Sequence, residues 1–130
     1  MTITDPKIIE KRKPPSIGNT PLIYLIKFST KRVKILAKLE WSNPFGSVKD
    51  RAADWMLKDL TKKINLNPDK AILIEPTSGN MGIALAGVAK SMGFKIEVVV
   101  PSKISRETKI LLRSLGATIL ETSDDLYAPK

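Results

Sequence analysis

The chain has 130 residues, 42% of them hydrophobic and 27% charged, with 22 Lys and Arg against 13 Asp and Glu. That length suits one domain around one core, and the apolar fraction is too high for a disordered tail. With no cysteine and no histidine, the chain has no disulfides, thiolate nucleophiles, Ser-His-Asp chemistry or Cys- and His-ligated metals. Catalysis would have to use Lys, Ser, Thr, Tyr or a carboxylate, or borrow a cofactor.

No stretch approaches the roughly 18 uninterrupted apolar residues of a membrane span. The opening MTITDPKIIEKRK lacks the apolar core of a signal peptide, so a cytoplasmic protein is expected. The formal charge of +9 favours encounters with polyanions. Lys7, Lys11, Arg12, Lys13, Lys27, Lys31, Arg32 and Lys34 cluster early. Yet no basic run is interleaved with aromatics as a base-stacking surface requires. The charge reads as a lysine-rich solvated surface, and nucleic acid is not the expected partner.

Residues 1–20, with Pro6, Pro14 and Pro15, form a lead-in expected to lie as an arm over the surface; residues 21–130 form the expected α/β domain. A strand is predicted over Ile35–Glu40, then a turn at Ser42–Ser47 with Asn-Pro and Gly as breakers. A helix follows from about Val48 to Lys63, its Val48, Ala52, Trp55, Met56 and Leu60 forming one apolar stripe. Asn65 to Asp69 closes it. The run Ala71–Glu75 suits a strand covered on both faces. The loop Pro76–Asn80 leads into a helix from Met81 to about Met92 that is apolar on nearly every side. That helix is expected to be deeply buried, with Gly82 and Gly87 allowing close approach to the sheet. Gly93 is its stop. A strand over Lys95–Val100 ends at Pro101. A helix over about Ser105–Leu115 carries Thr108, Leu111, Leu112 and Leu115 on one side, Gly116 stops it, and a last strand spans Ala117–Glu121. Such alternation implies right-handed crossovers. The expected fold is α/β, a parallel twisted sheet with helices on both faces.

Ligands of open parallel sheets gather where strands end and helices begin, and two segments qualify. In Pro76-Thr77-Ser78-Gly79-Asn80, two hydroxyls and an amide sit beside the unpaired N–H groups of a helix start. This suits a carboxylate or phosphate; the same pattern suits plain helix capping by Asn80 or Ser78. In Asn43–Arg51, Lys49 falls in the first turn of its helix, where the dipole makes its proton easier to lose. A neutral amine suits carbonyl chemistry; the alternative is a lysine paired with Asp50 or another carboxylate. The spacing is not that of a P-loop, and no G-x-G-x-x-G occurs.

Ile17-Gly18-Asn19-Thr20-Pro21-Leu22, Asn43-Pro44-x-Gly46-Ser47-Val48-Lys49-Asp50-Arg51, and Pro76-Thr77-Ser78-Gly79-Asn80-x-Gly82-Ile83-Ala84-Leu85-Ala86 occur in that order. Pro101, Ser105-Arg106-Glu107 and Leu115-Gly116-Ala117 follow. In motif and spacing, residues 17 to about 122 resemble the amino-terminal part of fold-type II pyridoxal-phosphate enzymes, in the cysteine synthase and cystathionine β-synthase branch. Lys49-Asp50-Arg51-Ala52-Ala53 is closer to that branch than to the dehydratases, which continue Lys-x-Arg-Gly-Ala. Met81 departs from the threonine that many cysteine synthases have after the asparagine, and bulkier apolar residues there resemble enzymes acting on O-phosphoserine.

The resemblance implies pyridoxal phosphate as cofactor, bonded through its aldehyde to Lys49, whose amine then removes the substrate α-proton. Asn80 would hydrogen-bond the cofactor's phenolic oxygen, and Thr77, Ser78, Gly79 and Asn80 would bind the substrate carboxylate. No metal is implied. The reaction would be β-replacement on O-acetylserine or O-phosphoserine with sulfide, giving L-cysteine. Members of the family are longer and two-domained, and the glycine-rich phosphate loop is expected in the later domain. The chain is therefore expected to be an N-terminal fragment or truncated form, inactive alone. Its partners would be an amino-acid substrate and either further copies of itself or a complementing second domain. The alternative is a non-catalytic module of the same ancestry that binds a protein or nucleic acid.

Overall fold

The computed structural model describes residues 16–122. Most of the expected arm, including Lys7, Lys11, Arg12 and Lys13, and residues 123–130 lie outside that range. The described part of the lead-in is tied down: Ile17 packs against the core, and the Gly18 N–H donates to Asn43 Oδ1.

Every predicted helix is present, shifted by a residue or two: α1 at Lys49–Ile64, α2 at Asn80–Ser91 and α3 at Arg106–Ser114. Their ends follow local chemistry. Asn65 takes a left-handed conformation and closes α1 onto the Thr61 carbonyl, and Ser105 caps α3 by accepting the Thr108 N–H. The strand predicted over Ile35–Glu40 is shorter. It forms β2 (Leu36–Lys38), paired antiparallel with β1 (Leu22–Tyr24) as a hairpin outside the main sheet. β3 (Ile72–Pro76), β4 (Lys95–Pro101) and β5 (Thr118–Thr122) form a parallel sheet in that spatial order.

Parallel register puts Leu73 beside Ile96, and Glu75 and Ile119 beside Val98, all on one face. On that face Ile96, Val98 and Val100 of β4 are buried with Leu85 and Val88 of α2 and Leu112 of α3. α2 packs on β3 and β4, and α3 on β5 and α2. The α/β class and the parallel sheet are as expected, and the two crossover helices, α2 and α3, lie to one side of the described sheet. Two right-handed crossovers that step β3 to β4 to β5 in one direction deliver their helices to the same face. A layer on the other face needs a reversal of strand order, which the described residues do not contain. The double cover expected for the Ala71–Glu75 strand fails for the same reason, with Ile72 and Ile74 55% and 65% exposed.

The buried side of α1 also differs from the expected stripe. Asp50, Ala53 and Leu57 are buried, whereas Val48, Trp55 and Met56 are more than half exposed. α1 packs on α2, whose buried residues include Gly82, Ala84, Ala86, Gly87 and Ala89, and a close helix pair accepts the small Ala53 better than an indole. Part of the bulky stripe turns instead to the edge of β3 that has no neighbouring strand among the described residues. There Met56, Leu60, Ile64, Ile72, Ile74 and Glu75 line a cleft of about 660 Å³. Burial in it raises the Glu75 carboxyl above its ordinary pKa. None of the residues expected for the active site lines this cleft.

Candidate active site

Lys49 is the first residue of α1, with its side chain exposed. Its backbone N–H donates to Ser47 Oγ at 3.1 Å. The ion pair with Asp50 that the sequence left open does not form. Asp50 is fully buried and accepts the Phe45 N–H on Oδ2 at 2.6 Å, leaving Oδ1 without a partner among the described residues. Consecutive helical residues point about 100° apart, so Asp50 goes inward while Lys49 goes outward. Among the described residues the Lys49 amine has neither an ion pair nor a hydrogen bond.

Thr77, Ser78, Gly79 and Asn80 form one bend between β3 and α2, and the bend leaves its outward groups uncommitted. The capping role expected of Asn80 or Ser78 falls to Thr77. Its buried Oγ1 accepts the Gly82 N–H at 3.0 Å and that of Gly79 at 3.4 Å. Gly82 is required here, because a Cβ on it would lie 2.2 Å from the Thr77 methyl. Ser78 and Asn80 are exposed, and their side chains make no hydrogen bond among the described residues. Gly79, the residue before α2, offers no side-chain acceptor to the helix, and a Cβ placed on it would meet no atom within 4 Å. A carboxylate approaching this bend meets donors, a helix N-terminus and open space.

The two segments are brought together through Phe45 and the packing of α1 on α2. Phe45 precedes Lys49 by one turn, and its ring lies against Gly87 of α2, where an added Cβ would come within 2.2–2.5 Å of the ring carbons. Gly87 was expected to admit the sheet; it admits this ring instead. Lys49 and Asn80 thus begin two helices that pack on each other, and no hydrogen bond joins them directly.

A second set of residues surrounds the Lys49 loop, and sequence reasoning assigned it no role. Glu40 Oε1 accepts from Thr20 Oγ1 at 2.7 Å and Arg51 Nη2 at 3.1 Å; Oε2 accepts from Arg51 Nε and Asn43 Nδ2, both at 2.9 Å. Asn43 Nδ2 also donates to the Ser47 carbonyl at 3.0 Å. Lys38 Nζ donates to the Thr20 carbonyl. The Arg51 guanidinium, then Thr20 and Asn43, hold the Glu40 carboxyl at about 2, below its ordinary 4.5, and Glu40 raises Arg51 in turn. The one available signal was that a carboxylate and an arginine flank the Asn-Pro turn.

The residues present fit the part of a pyridoxal-phosphate site expected of them: among the described residues the amine at position 49, the Asn80 amide and the Ser78 hydroxyl have no partner. Residues 14–129 match the family described as pyridoxal-phosphate dependent enzyme. Cysteine synthase 3 of Caenorhabditis elegans is 42% identical over 106 residues, which are 81% of this chain and 32% of that protein. Cystathionine beta-synthase of Mus musculus is 45% identical over 109 residues, 82% of this chain and 19% of that one. The crystal structure of O-ureido-L-serine synthase superposes with a TM-score of 0.76 at 37% identity, over 82% of this chain and 33% of that one. The chain thus spans about a third or less of the length of these relatives. A match of this extent, on a chain with a parallel sheet and the Thr77–Asn80 bend at one of its strand-to-helix junctions, places the chain in the pyridoxal-phosphate dependent enzyme family, with cysteine synthases and cystathionine β-synthases as its relatives.

Proposed function

We propose that the chain is the N-terminal portion of a cysteine synthase-type enzyme that replaces the β-substituent of O-acetylserine or O-phosphoserine with sulfide. The observation that carries this reading is the pairing of two uncommitted sites on packed helices: the Lys49 amine at the start of α1, and the Ser78 and Asn80 side chains at the start of α2. The family's cofactor, when bound, supplies an electron sink for the α-carbon of an amino acid. Lys49 Nζ would hold the cofactor and, once displaced by substrate, take the α-proton. The Asn80 amide would donate to the phenolic oxygen of the cofactor. Ser78, the N–H groups near Gly79 and the Thr77 hydroxyl, which can donate while it accepts from Gly82, would hold the substrate carboxylate.

On this reading residues 21–130 are part of the first of two domains, and a second domain supplies the phosphate cradle; the chain alone is inactive. An amine without that cradle holds the cofactor loosely and in poor orientation. Among the described residues no helix is long and apolar enough to cross a membrane, which agrees with the cytoplasmic location proposed for such an enzyme. The test is to mix the chain with pyridoxal phosphate and record the visible absorption of the lysine-bound cofactor. We expect a weak band at most, and none in Lys49→Ala. A stable stoichiometric yellow complex of the chain alone would refute the need for a second domain, and an undiminished band in Lys49→Ala would refute the role of Lys49.

A further inference from the structure

We propose that Glu40 is a positioning residue for Lys49, acting through Asn43 and Arg51; this rests on the assignment of Lys49 given above. Among the described residues the Lys49 side chain makes no hydrogen bond or ion pair that could fix it, so its placement depends on its backbone. That backbone is held from both flanks, two residues away on each side, and both holds lead to the same carboxylate. On the N-terminal flank the Ser47 carbonyl accepts from Asn43 Nδ2, while Ser47 Oγ accepts the Lys49 N–H. On the C-terminal flank Arg51 is gripped through Nε and Nη2. Glu40 accepts from Asn43 and Arg51 together, and Thr20 fastens its Oε1 from a third segment. Asn43 is itself anchored, its Oδ1 accepting the Gly18 N–H at 2.8 Å.

One carboxylate with four donors therefore ties residues 18–20, 40–43 and 47–51 into a rigid clasp, and Lys49 is its outward-pointing member. A reacting amine on a long flexible stem gains most from a fixed origin, since a displacement of about 1 Å can cost on the order of a hundredfold in rate. Whichever way its amide turns, glutamine at position 40 sets an N–H₂ donor against one of the two Arg51 donors and removes the charge that grips the guanidinium, which loosens the clasp.

The experiment uses the full chain. It is incubated with pyridoxal phosphate, reduced with borohydride and digested, and the share of label on Lys49 relative to the other lysines is read by mass spectrometry. Thermal melts run in parallel. The variants are Glu40→Gln, Thr20→Val, Thr20→Ser, and Leu112→Val as a destabilised control in the core of α3. We expect wild type, Leu112→Val and Thr20→Ser to label Lys49 preferentially. Glu40→Gln should lose about tenfold of that preference, and Thr20→Val a smaller part. Preference kept in Glu40→Gln, or lost equally in Leu112→Val at the same melting temperature, overturns the positioning role while leaving Lys49 as the cofactor residue. If Glu40→Gln does not fold, the contrast between Thr20→Val and Thr20→Ser decides in the same way. Wild type that labels Lys49 no more than other lysines overturns the assignment of Lys49 itself, and the positioning role with it.

Discussion

Glu40 and Glu75 show how one side-chain type is driven in opposite directions by its surroundings. Arg51, Thr20 and Asn43 stabilise the charged form of Glu40 and hold its carboxyl at about 2. A carboxyl whose folded pKa is depressed contributes stability above the unfolded value of 4.5 and loses it as pH falls towards about 2. Melting temperature should therefore drop between about pH 4.5 and about pH 2, and Glu40→Gln should flatten that part of the profile. The effect is modest because the Glu40–Arg51 pair is partly exposed. Glu75, raised by burial alone, titrates with the opposite sign: its contribution is present at low pH and lost as pH rises through its folded value. Glu75→Gln should make the chain more stable at pH 7 than wild type, as thermal melts can show. Gly87 supports another prediction at this scale. Helix propensity favours alanine over glycine by about 1 kcal/mol, but a Cβ there overlaps the Phe45 ring. Overpacking of a rigid ring costs typically about 1–3 kcal/mol, so Gly87→Ala should destabilise on balance. Adding Phe45→Leu should recover part of the loss in a double-mutant cycle of denaturant unfolding.

Among the elements, α1 departs furthest from its sequence pattern. Its spacing marks a helix unmistakably, and the helix is there, but the bulky positions point away from α2. The choice of face depends on the partner: α2 is rich in small buried residues (Gly82, Ala84, Ala86, Gly87), and a close neighbour packs best through a small residue such as Ala53, with Leu57 one turn further on. Leu57→Ala should then cost about 2–5 kcal/mol by cavity formation, while Trp55→Ser should stay within about 0.5 kcal/mol. Denaturant unfolding of the two variants tests the register directly; equal losses would contradict it. The strand-to-helix bends behave differently. Their breakers, Asn43-Pro44 and Gly79, were legible because they act locally. Which side chain caps α2 was not legible, since Thr77, Ser78 and Asn80 are all competent acceptors. Only the close approach of Thr77 to Gly82 decides among them.

Over the whole molecule, one face of the parallel sheet carries a packed core and the other carries exposed Ile72, Ile74 and Leu120. The edge of β3 that has no neighbouring strand among the described residues and the cleft beside α1 extend the same apolar surface. Uncovered apolar area and an unpaired strand edge favour association. The chain by itself should therefore sediment as a concentration-dependent mixture, and Ile74→Lys, which puts a charge on that face, should shift it towards monomer. A compact monomer at high concentration would contradict this.

Hydrophobic period, turn residues and motif order are properties of short windows, so the alternation of strands and helices, the α/β class and the positions of Lys49 and Thr77–Asn80 could be read from the residues in order. Partner choice is a property of distance in space. The turning of Asp50 inward towards Phe45, the pairing of Glu40 with Arg51 and Thr20, the face that α1 presents to α2 and the placing of α2 and α3 on one side of the described sheet were decided by tertiary structure. Each depends on which segments, far apart in the chain, come to lie side by side, and several arrangements share the same local pattern.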